Sequence, residues 1–520
     1  MKSDKIQDSK RMSIDLGVQN MQFNKQKYST KIYKTSSIML ISLAFTLFGC
    51  AVGPDYVPPS SQDLNIPYKW HAKLPHNGNN TQLVNWWQQF NDPTLIYFIE
   101  STIASNPSLA QSLAKIAQAQ ANLRGSNSSF YPSITAAGNA SAQNNAYSGT
   151  SIGGNTGTSS QDFISAATGG GSSYTGGLNA SWELDLFGAI RRNTQIYQAR
   201  LDASISDWND ARVSLASQVA DAYVSARACQ SVLMIYESQF NSRTATQKLT
   251  ELQVTVGVSP RADQEQGAGL VAQTLSNIEN QKGTCLQYNN ELVALTGLKY
   301  NVIKAEMAKN YAKIPTPSYL NISSIPANVI SQRPDISSAE RNVAAAMANV
   351  GYATANRYPS ISLTGSLAAN GGTIYANQPS SWSYGPAITL PITDGGYLRA
   401  QESLAYAQYD EAVANYKVKV LTAIKEVENA LVRINAAQKR EIAASDAVKN
   451  YGDYFNAMNK KYQIGWLNLL DLETVRINLV SYEQNLTTAK LEETEAWIAL
   501  YKAVGGNWNE SQLTKLTIGS

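Results

Sequence analysis

Three cysteines, two histidines and a thin scatter of carboxylates are what this 520-residue chain offers for nucleophilic, metal or acid–base chemistry. Cys229 and Cys285 lie in long apolar-periodic stretches. On antiparallel helices reversing near Ser259-Pro260 they stand 30 residues before and 25 after the turn. That is an axial offset of roughly 7 Å at 1.5 Å per residue, so a disulfide is not the favoured arrangement. His71 and His76 have no evident partners and read as surface residues, and the eight methionines are scattered rather than clustered. No Gly-x-x-x-x-Gly-Lys-Ser/Thr loop and no catalytic triad are present. The chain does not read as an enzyme, and nothing implies a metal or cofactor. The acidic residues that draw notice are Asp263 and Asp471, each six residues after a glycine, Gly257 and Gly465. Aspartate at such a place can cap a helix N-terminus or present charge at a chain reversal.

Composition supports this. Charged residues make up 16% and apolar residues 43%, with 42 basic against 39 acidic side chains. A chain so nearly neutral is no nucleic-acid binder, and it is apolar enough to bury a core. Eight of the basic residues and three of the acidic ones fall in the first 49 positions, a leader feature. Lys25, Lys27, Lys31 and Lys34 precede an apolar run from Ile38 to Phe48. This is too short for the roughly 20 residues of a spanning helix and fits a cleaved export signal. Translation starting at Met21 gives a leader of more usual length. Leu47-Phe48-Gly49-Cys50 resembles a bacterial lipobox, which makes Cys50 the acylated first residue of the mature chain in preference to an incidental cysteine. Ala51 after it lacks the aspartate of inner-membrane retention, so the implied address is the outer membrane.

The mature chain is two copies of one unit. Asn106-Pro107 and Phe130-Tyr131-Pro132 recur as Arg333-Pro334 and Arg357-Tyr358-Pro359 at an offset of 227. Leu186 to Arg191 recurs as Asp394 to Arg399, and Gly257, Asp263 and Gly297 as Gly465, Asp471 and Gly505, at an offset of 208. The 19-residue difference falls in the Gly/Ser/Asn/Thr-rich stretch from Asn139 to Ser173, a loop.

Each copy holds two alternating segments, Ile134 to Ala142 with Tyr174 to Leu186, and Ile361 to Ala369 with Trp382 to Leu390. Apolar and aromatic residues take one face and polar residues the other. A soluble sandwich alternates in the same way. Segment lengths near the roughly 9–11 residues of a tilted spanning strand, and aromatics at the segment ends, favour a membrane barrel. Four strands cannot close one, so the barrel must be shared between chains.

Long proline-free helices follow, Ala189 to Gly257 and Tyr397 to Gly465. Val413, Tyr416, Val420, Ile424, Val427, Leu431 and Ile434 average the 3.5-residue spacing of a coiled-coil seam. Ala216, Val219, Tyr223 and Ala226 hold equivalent places with smaller side chains. Return helices end at Gly297 and Gly505.

With these residues in place, the chain resembles the TolC-like outer-membrane efflux proteins, in their lipoprotein branch. The carriers are Cys50-Ala51-Val52-Gly53-Pro54-Asp55-Tyr56, Trp86-Trp87 with Phe90, Ser181-Trp182-Glu183-Leu184-Asp185-Leu186-Phe187-Gly188, Arg333-Pro334-Asp335 with Glu340, Pro391-Ile392-Thr393-Asp394-Gly395-Gly396, and Tyr462-Gln463-Ile464-Gly465. The resemblance implies a mainly α protein with a transmembrane β part: a homotrimer in which four strands per chain complete a twelve-stranded barrel and long helical hairpins form a periplasmic tunnel. The boundaries that follow are a signal peptide 1–49, a lipidated segment and part of an equatorial belt 50–105, a first repeat 106–298, an equatorial linker 299–332, a second repeat 333–505, and a last belt segment 506–520.

The resemblance further implies an exit duct of a tripartite efflux system, docked to a periplasmic adaptor and driven by an inner-membrane RND-type pump, with outer-membrane lipid as a further partner. A type I secretion duct and a lipid-anchored periplasmic scaffold without a pore are the alternatives. The turns at Gly257, Val258, Ser259 and at Gly465, Trp466, Leu467 take the place of the adaptor-docking ends. Asp471, with its repeat partner Asp263, takes that of a periplasmic gate. Thr474 stands where some members carry a second acidic residue, so a doubled carboxylate ring is not expected. Trp466 is either an adaptor anchor or a plug between helices, and Arg261 is a surface ion-pair partner.

Overall fold

The computed structural model describes residues 51–58, 86–144, 170–317, 332–372 and 380–506. The leader, Cys50, His71, His76 and residues 507–520 lie outside the described residues.

After a short 3₁₀ turn at 86–90 the chain runs through α1 (Pro93–Ser105), α2 (Pro107–Ser128), β1 (Ser133–Asn144), β2 (Gly170–Leu184), α3 (Ala189–Thr255), α4 (Arg261–Thr296) and α5 (Tyr300–Ala308). The second copy follows as α6 (Pro334–Ala355), β3 (Ser360–Gly372), β4 (Ser381–Thr389), α7 (Tyr397–Gln463) and α8 (Leu469–Ala503). Helices α3 and α7 are each 67 residues long, about 100 Å at 1.5 Å per residue.

Their starts are set by short-range chemistry. Gly188 and Gly396 take left-handed φ of 84° and 91°, angles that other residues adopt at a cost. Asp185 then accepts hydrogen bonds from Ile190 N (2.9 Å) and Arg191 N (3.0 Å), and Asp394 from Gly396 N (2.9 Å) and Leu398 N (2.7 Å). Orphan N–H groups of each first turn are satisfied in this way. At the other end of the copies, Asn106 caps α2 through Ser108 N (2.8 Å) and also donates to Leu295 O (2.7 Å), tying α2 to the C-terminal end of α4.

The seam residues of the sequence pattern form the core. Val427, Leu431 and Ile434 of α7 meet Ala216, Val219, Tyr223 and Ala226 of α3 in one buried cluster. Trp86, Leu95 and Phe98 join from the N-terminal side, Ile303 and Met307 from α5, and Trp497 and Tyr501 from α8. Helix α5 is held to α3 by buried polar contacts. Arg227 donates to Met307 O (2.8 Å) and Tyr223 Oη (2.9 Å), and Tyr223 donates to Asp92 (2.5 Å).

The four strands make one antiparallel sheet in the order β1-β2-β3-β4. Its register sorts the sequence alternation into two continuous faces. Ala136, Leu178, Leu367 and Trp382 form one cross-strand row, and Ile134, Ala180, Gly365 and Tyr384 the next. Between them, on the other face, lies the row Thr135, Asn179, Ser366 and Ser383. Leu178, Leu363, Leu367, Trp382, Tyr384 and Ile388 are all exposed. A sandwich would bury that apolar face beneath a second layer; here it lies open. No described helix is long and apolar enough to cross a membrane.

Candidate functional site

At the ends of the helical hairpins, far along the chain from the sheet, two turns share one construction. Gly257 and Gly465 hold φ of 79° and 78°. In the first turn Val258 N donates to Gln253 O (2.8 Å) and Gly257 N to Val254 O (3.0 Å); in the second Trp466 N donates to Lys461 O (2.9 Å) and Gly465 N to Tyr462 O (3.0 Å). Each is a glycine helix stop that satisfies the last carbonyls. With those groups satisfied, the side chains of the turn are left outward. Trp466 is 79% exposed, and Val256, Val258, Ile464 and Leu470 are exposed with it. Within the single chain Trp466 therefore fills no gap between helices. Leu467 turns partly inward, packed against the small core of Tyr462, Leu469 and Leu472, while Ser259 is half-buried.

Asp471 is not an N-cap. That place belongs to Asn468, whose Oδ1 accepts from Asp471 N (2.8 Å), and the helix starts at Leu469, three residues earlier than a cap at Asp471 would start it. Asp471 and Asp263 both sit in the first turn of their helices, α8 and α4. Asp471 is exposed and Asp263 half-buried. Arg261 pairs with Glu265 at 3.6 Å on the surface.

Behind the exposed turn lies a buried ionic cluster absent from the sequence reading. Glu473 accepts from Arg243 Nε at 2.9 Å and pairs with Arg476. Arg243 also donates to Thr274 Oγ1 (2.7 Å), and Arg476 to Thr246 Oγ1 (2.8 Å) while lying over the Phe455 ring. The cluster thus joins α3, α4, α7 and α8, and the Thr250–Tyr462 hydroxyl contact (2.7 Å) adds a second tie from α3 to α7. Burial, with Arg243 alongside, lowers the Arg476 pKa to about 10, so it stays charged at neutral pH. A signal was present: Leu469, Glu473 and Arg476 fall at seam spacing, and a charge in a seam position must be paired.

A second cluster fixes the N-terminal segment. Arg192, buried at the start of α3, donates to Val52 O (3.3 Å), Gly53 O (3.1 Å) and Asp55 Oδ1 (2.7 Å), and Val52 N donates to Phe187 O (3.1 Å). Gly53 packs so closely on Gly351 of α6 that a Cβ would stand 2.7 Å from its Cα. The residues that follow Cys50 are therefore seated where the sheet meets the helices.

One expectation is overturned. Cys229 and Cys285 are joined as a disulfide, with Cα atoms 5.6 Å apart. Helix α3 ends at Thr255 and α4 starts at Arg261, 26 residues after Cys229 (255 − 229) and 24 before Cys285 (285 − 261), so the axial offset is about 3 Å at 1.5 Å per residue and the bond can close.

Comparison with known proteins agrees with this geometry. The family model for outer membrane efflux proteins matches residues 98–298 and 325–506. Nodulation protein T of Rhizobium leguminosarum bv. trifolii is 31% identical over 467 residues, 89% of this chain and 96% of that protein. The toluene efflux pump outer membrane protein TtgC of Pseudomonas putida is 29% identical over 494 residues, 91% of this chain and 96% of its own. The structure of the outer-membrane channel OprN has a TM-score of 0.76 at 27% identity, and the match covers 88% of this chain and 100% of that one.

Proposed function

Starting from the fact that this chain belongs to the outer membrane efflux protein family, we propose that it works as a homotrimer, each chain giving four strands to one barrel. In that trimer Asp471 of each chain forms an anionic ring at the periplasmic mouth of the duct. The protein is an outer-membrane efflux channel with a large periplasmic part. As a duct it does no work itself; an inner-membrane RND-type pump supplies the energy and a periplasmic adaptor bridges the gap. The adaptor docks on the exposed turns, with Trp466, Val258 and Ile464 as apolar anchors, since exposed aromatics in a small patch carry interface energy. Cys50 carries the lipid, and the segment 52–55 just after it is held at the sheet–helix junction by Arg192.

The observation that carries this reading is the sheet. Its apolar face carries exposed Leu178, Leu363, Leu367, Trp382, Tyr384 and Ile388 and its polar face is continuous, the arrangement of a strand set with lipid on one side and water on the other. Both edge strands, β1 and β4, are free to pair with further copies.

The test is single-channel conductance of the purified protein in planar bilayers, wild type beside Asp471→Ala. A small, flickering conductance that rises in the variant supports a pore gated at the turn. Folded trimer that conducts in neither form would refute the duct.

A further inference from the structure

The Cys229–Cys285 disulfide has no counterpart in the second copy. The repeat offset of 208 places Ala437 and Glu493 at the corresponding positions, so hairpin α3–α4 is covalently tied and hairpin α7–α8 is not. The bond closes a 56-residue separation and lies about 42 Å from the turn at Gly257, at 1.5 Å per residue. It also lies at the level where the chain after α4 crosses α3. Arg227 and Gln230 both donate to Met307 O (2.8 and 3.2 Å), and Ser231 donates to Ala312 O (2.6 Å). Gln281 Nε2 of α4 donates to Cys229 O at 3.1 Å beside the bond.

Cys229 is 5% exposed, flanked on α3 by the buried Ala226, Ala228 and Leu233. A macromolecular oxidant acts by forming a mixed disulfide, for which a thiolate must reach its sulfur. The folded chain denies that access at Cys229, whereas Cys285, half-buried on α4, is the cysteine whose sulfur an oxidant can reach. Cysteine count adds a second constraint. With Cys50 taken by acylation, Cys229 and Cys285 are the only thiols of the mature chain, so a single pairing exists and none can be wrong.

From these contacts we infer that the chain is a substrate of a disulfide-bearing thiol oxidoreductase in the periplasm, which engages Cys285 first and leaves Cys229 to resolve the mixed disulfide, and that it needs no disulfide isomerase. In the step, the thiolate of one cysteine attacks the oxidant's disulfide to give a mixed disulfide. The thiolate of the other then displaces the oxidant as its reduced dithiol. Two electrons pass to the oxidant, two protons leave the chain's thiols in all, and the Sγ–Sγ bond forms. Its effect is to fix the register of α4 on α3, so that a one-turn slip of the hairpin is forbidden while the Asp263 turn is assembled. The inference rests on the export and acylation reading of residues 1–50.

The experiment takes full-length protein from membranes, denatures it in detergent and counts thiols by maleimide-polymer mass shift, with and without prior reduction. No shift before reduction and two additions after it are expected; processed protein with free thiols overturns the proposal. A chain that keeps its leader would instead mark failure of the export reading itself. Expression in cells lacking the periplasmic thiol oxidant should leave both thiols free, whereas cells lacking the isomerase should give full oxidation; the reverse of either result counts against the inference. The point of entry is read from the two single variants in folded trimer, where Cys285 of Cys229→Ser should label at least tenfold faster than Cys229 of Cys285→Ser. Equal or reversed rates would overturn the claim that the oxidant engages Cys285 first.

Discussion

Arg243 and Glu473 are 230 residues apart in sequence and 2.9 Å apart in space, with side chains 6% and 5% exposed. This contact and the Arg476 pair hold the first turn of α8, which carries Asp471, to both helices of the first hairpin. A buried carboxylate between two guanidiniums cannot be removed without stranding charge. Breaking such a pair costs about 3–5 kcal/mol.

Glu473→Gln should therefore lower stability by about that amount, while Glu473→Asp, which keeps the charge, should lose less. Thermal unfolding of detergent-solubilised protein reads the difference. Equal melting temperatures for Gln and wild type would remove the cluster from the structural account. Conductance should also rise in Glu473→Gln, because α8 is released from α3.

The two-faced sheet makes a paired test. Leu367→Arg places a cation on the apolar face, where one at the bilayer midplane costs about 2–4 kcal/mol. Ser366→Arg, the adjacent residue, points to the polar face and should be tolerated. Yield of heat-resistant trimer from membranes distinguishes them. If both substitutions behave alike, the face assignment is wrong.

The Trp466 side chain is exposed, and its backbone bond to Lys461 O survives truncation, so Trp466→Ala should leave the melting temperature unchanged. Adaptor binding should fall by 10-fold or more, the range of an interface hot spot at about 2 kcal/mol. Titration of the cognate adaptor against immobilised trimer measures it. Loss of stability in place of loss of binding would reassign the tryptophan to packing.

Two carboxyls give a pH prediction. Burial, with Glu495 nearby, pushes Asp221 up to about 7, and burial with a hydrogen bond to Glu441 pushes Glu493 up to about 7. In the unfolded chain both ionise near pH 4. Below that pH each is protonated in both states and imposes no penalty. As pH rises from about 4 to 7 the unfolded chain releases protons that the folded chain retains, so stability falls, and the loss is complete above about 7. The melting temperature should rise on acidification from pH 8 to pH 5, and Asp221→Asn with Glu493→Gln should flatten that slope and stabilise at pH 8. An unchanged slope in the double variant would show that other groups set it.

Much of this protein is local and so was written in the sequence. Helix boundaries follow from glycine, proline and aspartate at the ends of α3 and α7, because capping is decided within one turn. The strand faces follow from period-two alternation, and the repeat gave the matched turns at Gly257 and Gly465. Pairings across more than one hundred residues were another matter. Glu473 between Arg243 and Arg476, and Arg192 around Val52 to Asp55, depend on which helix faces meet, and no periodicity within one helix carries that. The disulfide turned on where the reversal is centred, since helix ends at Thr255 and Arg261 cut the axial offset of the two cysteines from about 7 Å to about 3 Å at 1.5 Å per residue. Asp471 as first-turn residue and not cap was decided in the same way, by the residue at which the chain re-entered the helix. Sequence fixes elements whose causes lie within a turn or a strand; only the packed hairpins decide which side chains face one another.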